Sequence, residues 1–326
     1  MTTFDDETQD MSEPLSEYST EMPSSDSSLA AEVAPKKKLG FGFWLSAFWV
    51  VLITLLAVLA PILPIKDPTE NYIITETTEN LRGDLVEKPV QPPYSLDGNH
   101  WMGTDKDARD MLSRTIFGAR ISLAVGFITA IFGLVVGGAL GMLAGYFKGW
   151  VDRIISSVFI VSLSFPGLIL AILVVALLNR SLWTISITIG ILAVAPVGRL
   201  ARAQTITFAE REFVIAAETL GAKRSRIILR EMLPNVLIPM ATLSMLVVAI
   251  AIVAEGALAF LGLSVQKSAT WGKLILIGSD INSLESAPWI AFGPIIFLFF
   301  TVASLNYMSD RLRDFFDVRE VYDLYD

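Results

Sequence analysis

The sequence predicts an all-helical chain that crosses a membrane six times, and three observations carry that expectation. Of 326 residues, 53% are hydrophobic and only 18% charged. Several apolar runs reach about 20 residues, which at about 1.5 Å per residue is enough to cross a hydrocarbon core about 30 Å thick. The runs are continuous rather than alternating, which selects helices over a barrel, because backbone in lipid must satisfy its own hydrogen bonds. Six spans follow, roughly 41–63, 121–147, 154–178, 182–199, 236–262 and 289–308.

Residues 1–38 precede the first span. Asp5, Asp6, Glu7, Asp10, Glu13, Glu17, Glu21, Asp26 and Glu32 all come before the first lysine. With its Ser, Thr and Pro content this segment reads as a disordered acidic tail, a solvating extension rather than a partner-binding arm. The lysines at 36–38 lie deep in the chain and the apolar run after them exceeds a signal-peptide core, so 39–64 is expected to be a retained transmembrane helix.

Residues 65–120 form the longest connection and are expected outside the cytoplasm. Their only histidine, His100, has no second ligand at metal spacing and is read as structural. Met111, Leu112, Ile116 and Phe117 fall at helical spacing, which predicts an amphipathic segment on the outer surface leading into span 2, where a delivered substrate could enter.

The core, 121–308, opens with Gly133, Gly137, Gly141 and Gly145, each four residues after the last and so on one helix face. Such a stripe lets a neighbouring helix come close. It serves static packing within the subunit or packing that slides during a conformational cycle; periodicity does not separate the two, and static packing is preferred. Pro166 and Gly167 fall mid-membrane in span 3 and predict a kink. Glu255 lies about 28 Å along span 5, near its outer end. It is expected at the interface, reaching water or a helix-end partner, and is a candidate for closing an outer gate.

Orientation follows the Lys/Arg bias of the short connections. Lys148 and Arg153 fill the turn between spans 2 and 3, and Arg199, Arg202, Arg211, Lys223, Arg224, Arg226 and Arg230 crowd the connection between spans 4 and 5. With Arg311, Arg313 and Arg319 in the tail 309–326, they place both termini in the cytoplasm. The cations of 65–120 run against the rule and are outvoted.

Cysteine is absent, which excludes disulfides and thiolate chemistry. No phosphate-cradling G-x-x-x-x-G-K-[ST] loop, dinucleotide fingerprint, G-x-S-x-G elbow or H-E-x-x-H occurs, so the chain is not expected to be an enzyme or to bind a cofactor or metal.

Between spans 4 and 5, in the cytoplasmic segment 200–235, stands "EREFVIAAETLGAKRSRIILREMLPN", residues 210–235. Phe213, Ala216, Ala217 and Leu220 share a helical face; Gly221 breaks the run next to Ala222, and Ile227–Leu233 resume it until Pro234. Two short helices with a hinge suit docking into a groove of a cytosolic partner. The spacing Ala216-Ala217, Gly221, Leu233-Pro234 resembles the coupling loop of ABC importer permeases. "GTDKDARDMLSRTIFGARISL" (103–123), "EGALAFLGLSVQ" (255–266), "WGKLI" (271–275) and "LRDFFD" (312–317) are similar to the C-type permease of the dipeptide, oligopeptide and nickel group. Ile215 stands where that loop usually has glutamate, Glu231 where it has isoleucine or histidine, and Ala108 where the group commonly has glycine.

The resemblance implies a type I ABC importer fold in the bacterial plasma membrane. It implies as partners a B-type permease, two cytosolic ATPases holding ATP and Mg, an extracytoplasmic binding protein and lipid, but no nucleic acid. Short peptides are the expected cargo, with nickel chelates, glutathione or another small solute as alternatives. A secondary transporter, the rival class, would show mid-membrane charge pairs and inverted repeats.

Overall fold

A computed structural model describes residues 39–79, 85–96 and 98–316. The acidic tail 1–38 and residues 317–326 of the terminal tail, with Arg319, lie outside the described residues.

The first span is α1 (Gly40–Leu59), a single apolar helix. After it the chain builds an element that the all-helical expectation lacked: β1 (Thr75–Glu79) pairs antiparallel with β2 (Leu85–Pro89), Thr75 opposite Pro89 and Glu79 opposite Leu85. Thr75, Thr77 and Thr78 favour extended backbone, but five-residue strands are too short for a span-length reading to register.

The second span, α2 (Met111–Phe147), starts about ten residues before the expected boundary and runs unbroken through a π-turn at Gly133–Gly137. Met111, Leu112, Ile116 and Phe117 are therefore its first turns, not a separate surface helix. They are covered by protein: the Trp271 indole donates to the Thr115 carbonyl (3.0 Å) and its backbone N–H is met by the Ser122 hydroxyl (3.1 Å). Helical spacing locates an apolar stripe but does not say what covers the rest of the helix.

At Pro166 the chain breaks rather than kinks. α3 (Gly149–Ser164) and α4 (Gly167–Leu177) meet at 85°. Phe165 and Pro166 are extended (ψ 138° and 111°), as steric conflict with a following proline ring demands of Phe165. Together these two helices make the sixth candidate span, beside five unbroken ones.

Next come α5 (Leu182–Ala209), the short α6 (Glu212–Thr219) and α7 (Arg224–Phe260). The expected stop at Pro234 does not occur: the second helix of the coupling segment continues directly into span 5. A π-turn at Ile227–Met232 precedes the proline, where a missing N–H leaves the α-ladder locally incomplete. The chain ends through α8 (Trp271–Gly278), α9 (Ile281–Ser286) and α10 (Trp289–Phe316).

The core lies between α2, α5, α7 and α10, with α1 against α2 and α10, and α3–α4 against α5. Met142, Val197, Met232, Met240, Ile252, Trp271 and Leu305 join these helices in one buried cluster.

The connection into α2 is held by charge. Asp105 is buried; it accepts the backbone N–H groups of Asp107 and Arg109 (2.9 Å each) and pairs with Arg109 and the buried Arg114. Asp110 caps α2 by accepting the Ser113 N–H, and His100 lies 3.0 Å from Asp110 and 3.1 Å from the Lys66 ammonium. Gly103 and Ala108 both adopt the left-handed region (φ 65° and 59°). That explains why glycine is natural at 108, and Ala108 takes the conformation at a cost of about 1–2 kcal/mol.

Lys106 reaches across to Asp280, which also caps α9. The Lys106 ammonium, with the Ser283 N–H and hydroxyl, lowers the Asp280 carboxyl to about 2. A depressed carboxylate stabilises the fold above its unfolded value and loses that contribution as pH falls through the folded one. The tie should thus persist throughout neutral and mildly acidic conditions and fade only toward pH 2. A carboxyl NMR titration of Asp280 should give a midpoint near 2; an unshifted midpoint would show the contact absent in solution.

Candidate functional site

One end of the bundle carries α6 and the turn after α2. The four-residue glycine stripe leads to it. An ideal Cβ would lie 3.0 Å from the Ala193 Cβ at Gly133, 2.6 Å from the Val194 oxygen at Gly137, 2.7 Å from the Ala201 Cβ at Gly141 and 2.8 Å from the Arg202 oxygen at Gly145. All four glycines thus face α5 of the same chain. Gly198 completes the contact from the other side, with Phe159 of α3 against it. Sequence spacing did not single out Gly198, which has no glycine partner at four-residue spacing.

At the end of this contact Asp152 of α3 grips Arg202 of α5 through two bonds of 2.5 and 2.6 Å. Lys148 lies 3.6 Å from Glu210, the Tyr146 hydroxyl 3.2 Å from Glu218, and the Arg224 guanidinium 6.0 Å above the Phe147 ring. The connection containing α6 is therefore tied to the α2–α3 turn.

α6 has two faces. Val214 is 1% exposed, and Ala217, Ala222 and Leu233 pack against the main cluster. Away from Val214 the helix exposes Phe213 (41%) on one flank and Ile215 (52%) on the other, with Leu220 (87%) at its end. Ile215, Ala216, Leu220, Glu212 and Thr219 line a shallow open groove there. Of the residues placed on one face by spacing, Phe213, Ala216 and Leu220 point outward, whereas Ala217 turns inward with Ala222. Ile215, noted only as a departure, is exposed as well and lines the groove.

Gly221 ends α6 at φ 77°. The Ala222 N–H donates to the Ala217 carbonyl (3.0 Å) and the Gly221 N–H to the Glu218 carbonyl (2.9 Å). This pair of bonds defines a Schellman cap, which needs a left-handed residue where Gly221 stands. The glycine is thus a bonded helix stop rather than a loose hinge. Pro234 lies within α7.

Glu255 sits at the opposite end of the bundle. It is 0% exposed, so of the two expected alternatives it reaches a helix-end partner and not water: Ser264, just past the end of α7, donates to Oε1 at 2.8 Å, and the Thr270 hydroxyl is 3.3 Å from that of Ser264. Among the described residues, Oε2 has no hydrogen-bond partner. The chain folds back over the helix end through Val265, Trp271 and Leu274, all buried, which counting along the helix does not reveal. Glu255→Gln keeps the Ser264 acceptor and exchanges one unsatisfied polar group for another, so thermal unfolding in detergent should change by no more than about 1 kcal/mol. A loss several times larger would mean that the second oxygen holds a water or an ion.

Residues 137–321 match the family described as binding-protein-dependent transport system inner membrane component. The dipeptide transport system permease protein of Alkalihalophilus pseudofirmus is 38% identical over 265 residues, covering 81% of each chain. The oligopeptide permease of Bacillus subtilis is 33% identical over 269 residues, 82% of each. The glutathione permease of Pectobacterium atrosepticum is 33% identical over 219 residues, 67% of this chain and 72% of its own. Among solved structures, an inward-facing MetNI methionine ABC transporter shares the fold, with a TM-score of 0.50 at 17% identity, over 63% of this chain and 97% of that one. The matched segment exceeds half of the chain and contains the end of α2 with all of α5, α6, α7 and α10, most of the elements that form the core, and the exposed apolar residues of α6. The chain therefore belongs to the binding-protein-dependent inner membrane transport components and is a multi-pass permease of the dipeptide and oligopeptide type, with the type I ABC importer fold, in the bacterial plasma membrane.

Proposed function

We propose that this permease forms half of the translocation pathway for short peptides and passes the work of partner ATPases to it through α6. Its partners are a B-type permease, two cytosolic ATPases and an extracytoplasmic binding protein. ATP and Mg stay on the ATPases, and this chain binds no cofactor and catalyses no reaction. Both termini and α6 lie in the cytoplasm, in keeping with the Lys/Arg crowding of that end. Dipeptides, oligopeptides and glutathione, the cargoes named for the relatives, favour peptides over metal chelates.

The observation that carries the reading is the open apolar groove lined by Ile215, Ala216 and Leu220, on a helix whose other side is packed into the body through Val214 and Ala217. An amphipathic helix of this kind offers anchors for a partner groove. Its tie at Tyr146–Glu218, with Lys148–Glu210 in the turn before it, carries a displacement of α6 to the ends of α2 and α3. Nucleotide and cargo then shift an inward-open to outward-open balance only by binding one state more tightly.

Leu220→Asp tests it. The side chain is 87% exposed, so the folded chain should unfold at the wild-type temperature. Co-purification of the ATPases and ATP-dependent peptide uptake should each fall by about tenfold or more, the effect expected of losing an anchor at an interface centre. Unchanged binding and uptake would remove α6 from the coupling path.

A further inference from the structure

At the end of the bundle opposite α6, a cavity of about 260 Å³ opens between the α4–α5 turn and the connection after α7. Its lining includes Arg180, Lys267 and Lys273, and no carboxylate. The walls are fixed: the Arg180 guanidinium donates to the Gly262 carbonyl, and the Gln266 N–H donates to the Arg180 carbonyl at 2.9 Å. Lys267 holds a left-handed backbone (φ 59°), uncommon for a residue other than glycine. Among the described residues, the Lys273 ammonium meets the Val265 and Ser268 carbonyls, at 3.4 and 3.3 Å.

Among the described residues, none of these three cations has a carboxylate within 4.0 Å, although the chain carries a net charge of −8. Burial and the neighbouring Arg114 and Arg180 hold the Lys273 ammonium below its ordinary value, while Glu255 works the other way. Glu255 is engaged behind the wall, where Ser264, a lining residue, donates to it. Converging cations without a counter-ion repel one another, and a bound anion relieves that repulsion.

We infer that this cavity, bounded by Arg180, Ser264, Lys267 and Lys273, binds a carboxylate of the transported peptide as it passes into the pathway. This rests on the peptide-import reading above. The void is larger than a carboxylate and leaves room for the residue that bears it. A free carboxylate is also the feature shared by dipeptides, oligopeptides and glutathione, the cargoes named for the relatives.

The test uses the whole transporter with its binding protein, reconstituted in phosphatidylcholine vesicles. The probes are a labelled tripeptide and its C-terminal amide. At saturating binding protein, Lys273→Gln and Lys267→Gln should each lower uptake of the free acid, by about tenfold for Lys273→Gln, as loss of a hydrogen bond to a charged group implies. Uptake of the amide should not change, Lys273→Arg should restore uptake of the acid, and ATP hydrolysis without cargo should stay at the wild-type rate. Three results overturn the inference: variants that move the acid as wild type does, equal losses for acid and amide, or a loss seen only when phosphatidylglycerol is added, which assigns the cavity to an anionic lipid headgroup. A wild-type transporter that moves no peptide overturns the underlying reading as well, whereas normal peptide uptake with indifferent variants overturns this inference alone.

Discussion

Gly221→Val should cut ATP-dependent uptake more than tenfold while leaving the chain folded. Gly221 stands at φ 77°, where a β-branched residue pays about 1–3 kcal/mol. A Cβ there would meet no atom within 4 Å, so the penalty is conformational rather than steric. It falls on the two cap bonds, Ala222 N–H to Ala217 and Gly221 N–H to Glu218, whose loss lets the end of α6 unwind and scatters Leu220 from Ile215 and Phe213. Gly221→Asn should keep most activity, because asparagine tolerates the left-handed region. Uptake by the two variants, with circular dichroism and thermal unfolding as fold controls, separates the outcomes. If Gly221→Val transports normally, the cap is not needed for coupling.

Gly141→Leu should have the larger effect on the protein itself. A Cβ at 141 collides with the Gly198 carbonyl and lies 2.7 Å from the Ala201 Cβ, so α2 and α5 must separate along their whole contact. Overpacking between two helices held backbone to backbone is expected to cost about 3 kcal/mol or more, enough to abolish recovery of folded protein from the membrane. Gly256→Ala is the control. It too lies inside a span, but its Cβ would come only within 3.8 Å of Gly272, an ordinary contact, and it should fold normally. Yields and thermal unfolding of the two variants in detergent decide the matter; equal behaviour would mean that the α2–α5 contact is not tight.

These two glycines illustrate how much could be read before the fold was known. The four-residue repeat at 133–145 announced a close helix approach, but the identity of the neighbour, α5, and its answering Gly198 came only with the packing. Pro166 announced an interruption, yet the 85° break depends on Phe165 being extended as well. Pro234 announced a boundary that did not form, because the π-turn before it absorbs the missing bond. In the segment 210–235, helical spacing located the exposed Phe213, Ala216 and Leu220. It misassigned Ala217 and undervalued Ile215, since which side of an eight-residue helix faces inward is set by Val214 meeting the body. Glu255 was legible as an unusual charge in a span, and its burial behind Ser264 was not.

Number and kind of spans, the Lys/Arg asymmetry, the glycine face and the helix stop at Gly221 are properties of neighbouring residues along one chain, so composition and period were sufficient for them. The Asp105–Arg114 pair, the cations gathered around Arg180 and the tether of α6 to the α2–α3 turn join residues from separate segments. Local propensity carries no information about such meetings; they are decided when burial of apolar surface brings distant helices to van der Waals contact and leaves each polar group only the partners that the packing puts within reach.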